Sequence, residues 1–268
     1  MKKRSIAAMV VLVVMAACLG SVSAKAEGTE VGLDVTWAER YLWRSMPVND
    51  EYVLQPSLTV GGGGFYLNGW ANVDLTDWGL DKKAGYGDER NNPTEIDFAA
   101  GYEGSILDDK VSLGFGFVNY TFPNLEDIGW VATTEIYGSV GLDVPLAPAL
   151  TAYVDEDQAE GAAYIALDLG HSFPIVEDRI SLDLSGHLGW ANHKFIKTYY
   201  GGMNKDSRLH DWVLTGSAPI TLMEGITLTP AYQYSSIMSD DLRDFWDEAD
   251  REKEIGIFTL TLSIAGEV

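Results

Sequence analysis

Four histidines, His171, His187, His193 and His210, are the side chains of this sequence best suited to proton transfer or metal binding. Ser185 and His187 stand two apart, which puts a hydroxyl and an imidazole on one face of a strand. A serine beside a histidine is the minimal activated nucleophile. His171 and Ser172 are adjacent and fall on opposite faces. His193 and His210 flank a polar segment, but no third metal ligand accompanies them. A second constellation is acidic: Asp34, Asp74, Glu95, Asp97, Glu135, Asp143, Asp168 and Asp183, with Arg40 and Arg44 as the main positive partners. What either set can do depends on the elements that carry it.

Those elements alternate with period two. In 31–44, Val31, Leu33, Val35, Trp37, Tyr41 and Trp43 fall on one parity. Asp34, Thr36, Arg40 and Arg44 fall on the other, as in a strand with one apolar and one polar face. Similar runs give twelve strands: 31–44, 52–60, 65–78, 94–104, 110–122, 134–144, 150–154, 162–173, 179–190, 210–222, 226–236 and 254–265. Pro56, Pro219 and Pro230 fall inside them, where bulges are expected. Connections after even-numbered strands are short, and those after odd-numbered strands are mostly long and polar. This is the organisation of a bacterial outer-membrane barrel.

Aromatics sit at matching levels. Trp37, Trp78, Trp190, Tyr232 and Tyr234 come late in odd strands, and Trp212 comes early in an even one. Together they form an interfacial girdle; Phe65, Tyr102 and Phe173 mark the opposite end. The expected fold is therefore all-β, a transmembrane antiparallel up-and-down barrel of twelve strands, with ten or fourteen as alternatives. The competing all-β reading is an exported soluble sandwich.

The 268 residues carry Lys+Arg 18 against Asp+Glu 40, a formal net charge of −22. Such acidity argues against nucleic acid as a partner. Residues 1–24 read as a cleaved secretory signal, with Lys2, Lys3 and Arg4 before an apolar core and Val22-Ser23-Ala24 as the cleavage site. Residues 25–268 form the barrel. The single cysteine, Cys18, lies in the leader, so the exported chain has no disulfide. A lipoprotein-like reading of 15–18 is a minor alternative. The expected location is the outer membrane of a Gram-negative cell, with membrane lipid and lipopolysaccharide as partners and small solutes as possible cargo.

The segment TWAERYLWRSMPVNDEYVLQPSLTV and the following GGGGFYLNGWANVDL resemble the opening of an uncharacterised proteobacterial family, Gcw_chp. Tyr41, Arg44, Gly64, Phe65, Tyr66, Gly69 and Trp70 carry the likeness; Ser45 stands where a glycine follows the arginine. The resemblance implies an outer-membrane, porin-like barrel with no assigned activity.

On this barrel the parity of the acids, Arg40 and Arg44 faces the lumen, and a carboxylate-lined lumen favours cations. The alternative is that these acids pair with arginine or water, as in any polar interior. A lipid hydrolase would need its Ser–His pair facing lipid, whereas Ser185 and His187 face inward. No catalytic residue, metal or cofactor is therefore assigned. Residues 239–254 space Leu242, Phe245, Trp246 and Ala249 as a short helix in an acidic outer loop. The loop 194–208, with Phe195, Tyr199 and Tyr200, is placed to cap the mouth. The functional expectation is passive diffusion of small neutral or cationic solutes. The alternatives are a non-conducting structural or recognition barrel and, further off, a lipid hydrolase.

Overall fold

The computed structural model describes residues 28–76, 90–123, 131–248 and 254–267. The expected leader, Cys18 and Trp78 lie outside them.

The chain forms one closed ring. Its wall runs β1 (Glu30–Ala38), β4 (Val53–Gly62), β5 (Phe65–Asp74), β6 (Pro93–Ile106), β7 (Val111–Thr121), β8 (Thr133–Leu142), β9 (Ala149–Asp155), β10 (Ala163–Val176), β11 (Ile180–Ala191), β12 (Arg208–Ser217), β13 (Ile220–Met223), β14 (Ile226–Ile237) and β15 (Glu254–Glu267). β12 and β13 are two pieces of one wall strand, so the 13-stranded sheet makes a twelve-position ring. Every neighbouring pair is antiparallel, and β1 pairs with β15 from Glu30–Glu267 to Ala38–Thr259, which closes the wall. Closure satisfies the backbone groups that an open sheet would leave bare.

The alternation read from the sequence sorts side chains between two faces. Outward positions are apolar and exposed: Phe65 is 66% exposed, Leu67 65%, Phe98 57% and Phe115 61%. An apolar belt of that extent is far beyond what a water-facing surface tolerates. Inward positions are polar, as in Asn68, whose amide donates to Ser57 and Thr59.

The prolines keep the ladder on one side only. Pro56 pairs with Val35 and Pro230 with Leu260 in register, but the β4–β5 ladder passes from Leu54 to Ser57 without pairing Gln55 or Pro56, and the β12–β14 ladder ends at Ala231, next to Pro230. Both prolines sit on the outward parity. Pro219 does interrupt the wall, in the gap between β12 and β13. The register shifts fall elsewhere, including Gly189/Trp190 and Pro174/Val176.

The larger correction concerns the first strand. It stops at Ala38 rather than continuing to Arg44. The Glu39 carboxylate accepts the Phe258 N–H at 2.9 Å, and the Glu39 N–H donates to the Phe258 carbonyl. Beyond it the chain leaves the wall and makes a hairpin, β2 (Tyr41–Trp43) and β3 (Met46–Asn49). Tyr41 and Trp43 therefore do not face outward. Arg44 and Ser45 form its two-residue turn with φ 50° and 59°. Two successive left-handed residues define the tight turn that suits a hairpin's twist, and they favour glycine or asparagine.

The hairpin enters the barrel at the end carrying the long connections, here called the long-loop end. It meets helix α1 (His193–Tyr199), whose N-cap Asn192 accepts the Phe195 N–H at 2.8 Å. Met46, Phe195, Ile196, Tyr200, Ile237 and Leu242 form a buried apolar core inside this half of the ring. Leu242 comes from α2 (Asp240–Glu248), the helix expected from the spacing in 239–254.

A plugged interior as candidate functional site

The hairpin tip is the most densely held point of the interior. Arg44 makes a two-pronged ion pair with Glu135 of β8, at 2.8 and 2.6 Å. Tyr120 of β7 donates to the same carboxylate at 2.9 Å. The guanidinium also lies over Trp43 and Tyr164, 4.4 Å from each ring centre, and near Tyr153 and Phe195 at 5.0 and 5.4 Å. Planar guanidinium suits both contacts, a forked carboxylate bond and ring stacking. The pair is almost out of solvent, at 8% and 2% side-chain exposure.

The next residue starts a relay. The Ser45 hydroxyl donates to Asp211 of β12 at 2.8 Å. Asp211 also accepts from Tyr164 at 2.7 Å and lies 2.8 Å from Nδ1 of His210. The other nitrogen of His210 meets the Tyr200 hydroxyl at 2.7 Å. On the far side, Tyr164 meets Nε2 of His187 at 2.8 Å, and Nδ1 of His187 meets Asp168 at 2.7 Å. A side chain at Gly189 would run into the Tyr164 hydroxyl and the Asp211 carboxylate, so the relay needs glycine there. The shift at Gly189/Trp190 turns both His210 and Asp211 inward.

His187 is thus held at both ring nitrogens, by the Tyr164 hydroxyl at Nε2 and by the half-exposed Asp168 carboxyl at Nδ1.

The tip divides the interior in two. On the short-turn side is a cavity of about 480 Å³ lined by Arg44, Ser45, Asp168, Ser185, His187 and Gln233, among others. On the long-loop side is another of about 480 Å³, bounded by Tyr41, Trp43, Glu95, Tyr120 and Tyr199. Trp43 and Tyr120 border both.

The remaining acids occupy varied places. Asp34 faces inward between Ser57 and Ser263. Asp74 is buried and accepts from Asn72 and Thr94. Glu95 and Asp97 share the inward face of β6, and Asp183 accepts from Ser172 at 2.5 Å. Arg40 lies half-buried between β1 and β2. Asp143 lies one residue beyond β8 in an exposed short turn, its N–H bonded to the Lys110 carbonyl. The aromatics Trp37, Trp190, Trp212, Tyr232 and Tyr234 lie toward the long-loop ends of their strands. Trp37 stacks on Tyr52 at 5.4 Å, and Trp212 packs tilted against Tyr234 at 5.7 Å.

The sequence reads Tyr164 as a bulky inward side chain that favours a plugged interior and Tyr120 as a late-strand aromatic of the outer girdle; it does not single out Asp211. Among the described residues no imidazole hydrogen-bonds a serine hydroxyl, and no three His, Cys, Asp or Glu side chains converge as a metal site.

Comparison with known proteins places this architecture. The model of Gcw_chp, a bacterial protein of unknown function, matches residues 23–234. No curated protein matches the sequence. Among solved structures, the NanC porin superposes with a TM-score of 0.54 at 13% identity, covering 87% of this chain and 98% of that one. The COG4313 outer membrane channel from Pseudomonas putida F1 superposes with 0.51 at 12% identity, covering 92% and 98%. At these identities the likeness is one of fold, that of outer-membrane barrels.

Proposed function

The chain belongs to the Gcw_chp family, and from that premise we propose that it is a porin-like channel of the Gram-negative outer membrane, passing small neutral or cationic solutes through a gated lumen. One observation carries the reading: a closed ring with an apolar belt outside holds two cavities, one polar and one mostly aromatic, with the hairpin tip between them. An apolar belt around a ring without edges is the form a barrel takes in lipid. Twelve strands fall between rings filled by side chains and those with wide aqueous channels, so the pore is narrow. The hairpin is the element whose displacement would join the two cavities.

Cation preference rests on the inward acids. Asp34, Asp97, Asp168 and Asp183 outnumber the inward cations, and Arg44 is neutralised by Glu135. No catalytic role is proposed, because both nitrogens of His187 are committed to Asp168 and Tyr164. The aromatic packing of the long-loop half favours a second reading, a permanently closed barrel that works through its loops.

Reconstitution in a planar bilayer separates the two. The channel reading expects brief, small openings that favour K⁺ over Cl⁻ and become long-lived when residues 41–49 are replaced by a short glycine-serine linker. A silent bilayer with both proteins, each shown to be heat-modifiable and folded, would leave the closed barrel standing. Anion preference would overturn the acidic-lumen argument.

A further inference from the structure

The long-loop cavity has a chemistry of its own. Its lining is mostly apolar and aromatic, and its one acidic member is Glu95, only 5% exposed. A cavity of about 480 Å³ with few converging polar groups has the size and character of a small-molecule site. Tyr41 hydrogen-bonds Glu95. Among the described residues no basic side chain pairs with that carboxylate, and the nearby guanidinium of Arg44 is committed to Glu135.

Two residues along, Asp97 points to the same side of β6, between Trp70 and Tyr120 in the register. Its Oδ1 is buried and has no hydrogen-bond partner. A buried carboxylate oxygen left unpaired is costly and calls for a donor or a positive charge. Trp43, Tyr120 and Tyr199 line the same space, with Trp43 and Tyr199 5.0 Å apart edge-on. Aromatic faces attract cations and also accommodate an apolar body.

We propose that this cavity is a binding site for a small organic cation, its ammonium group held by Glu95 and Asp97 and its apolar part lodged among Trp43, Tyr120 and Tyr199. The inference deepens the channel reading, since it names the class of solute admitted at the long-loop mouth. A polyol would supply donors to the carboxylates but no charge. An anion would meet two like charges.

Titration calorimetry on the full-length, detergent-solubilised barrel tests this without any bilayer, so a non-conducting protein and a non-binding one are told apart. The probe is benzyltrimethylammonium, compared with neutral benzyl alcohol, glucose and benzoate. The cation is expected to bind at least tenfold more tightly than each comparator. Glu95→Gln and Asp97→Asn should each weaken it by tenfold or more, and Tyr199→Leu by several-fold, with heat-modifiable gel mobility retained. Because Glu95→Gln alters a buried site, Tyr199→Leu on the short helix α1 keeps the test alive if that variant fails to fold. No binding of the cation, equal binding of benzyl alcohol, or full affinity in folded Glu95→Gln would each overturn the assignment.

Discussion

The Ser45 hydroxyl donates to the Asp211 carboxylate at 2.8 Å, across 166 positions of sequence. This bond ties the turn of an inserted hairpin to β12, three positions round the ring from β1. It also offsets the cost of a left-handed serine at φ 59°, which is about 1–2 kcal/mol.

Ser45→Ala and Ser45→Gly should therefore differ. Alanine keeps the backbone strain and loses a bond to a charged group, worth about 1.5–3 kcal/mol. Glycine loses the same bond but relieves the strain. Urea unfolding in lipid should show alanine destabilised by about 2 kcal/mol and glycine within about 1 kcal/mol of the parent. Glycine no better than alanine would remove the strain argument.

Glu135→Ala leaves the Arg44 guanidinium buried without its carboxylate, a change that costs about 3–5 kcal/mol. Part of that cost is relieved if the hairpin leaves the lumen, so open time in bilayer recordings should rise. Arg44→Met combined with Glu135→Leu should recover most of the stability, since replacing both members of a buried pair by apolar groups is often neutral. A double variant as unstable as Glu135→Ala would contradict this.

His187 links Tyr164 to Asp168 through its two ring nitrogens. His187→Phe should weaken the Tyr164–Asp211 relay and loosen the hairpin, read as faster hydrogen exchange at 41–49. Unchanged exchange there in the folded variant would refute the link.

Asp241 lies in the first turn of the outer helix α2, and its carboxylate is held well below the usual range. Lys205 is the largest cause, with Ser239 and Arg208 adding to it. A depressed carboxylate contributes stability that is present above its unfolded value, about 3.9, and is lost as pH falls through the folded one. Exchange protection over 239–245 should hold at pH 5 and disappear well below pH 4. Asp241→Asn should lack that protection at pH 7.

Much of the wall was readable because one face of every strand meets an apolar medium. Period two then survives in runs such as Ile180, Leu182 and Leu184, and the ring's order follows from loop lengths. The interior was harder to read. Tyr41 and Trp43 keep the parity of Val31–Trp37, so nothing in the alternation marks where the chain leaves the wall. Glu39 was the exception, a charge on the apolar parity, and the wall ends one residue before it. Tyr164 and Asp211 looked like ordinary inward polar residues. Their importance comes from Ser45 and His187, which only three-dimensional closure brings to them.

That closure has a consequence for how the molecule is made. At the seam, Thr36 and Thr261 share a hydroxyl contact at 2.8 Å although 225 positions separate them. Joining such distant segments is slow, because their search is rewarded only at the last step. During biogenesis every shorter assembly is an open sheet with two bare edges, each able to pair with a neighbouring copy. Synthesis halted before residue 254 would thus yield a seed for aggregation rather than a leaky pore, and the speed of the final pairing sets how long that danger lasts.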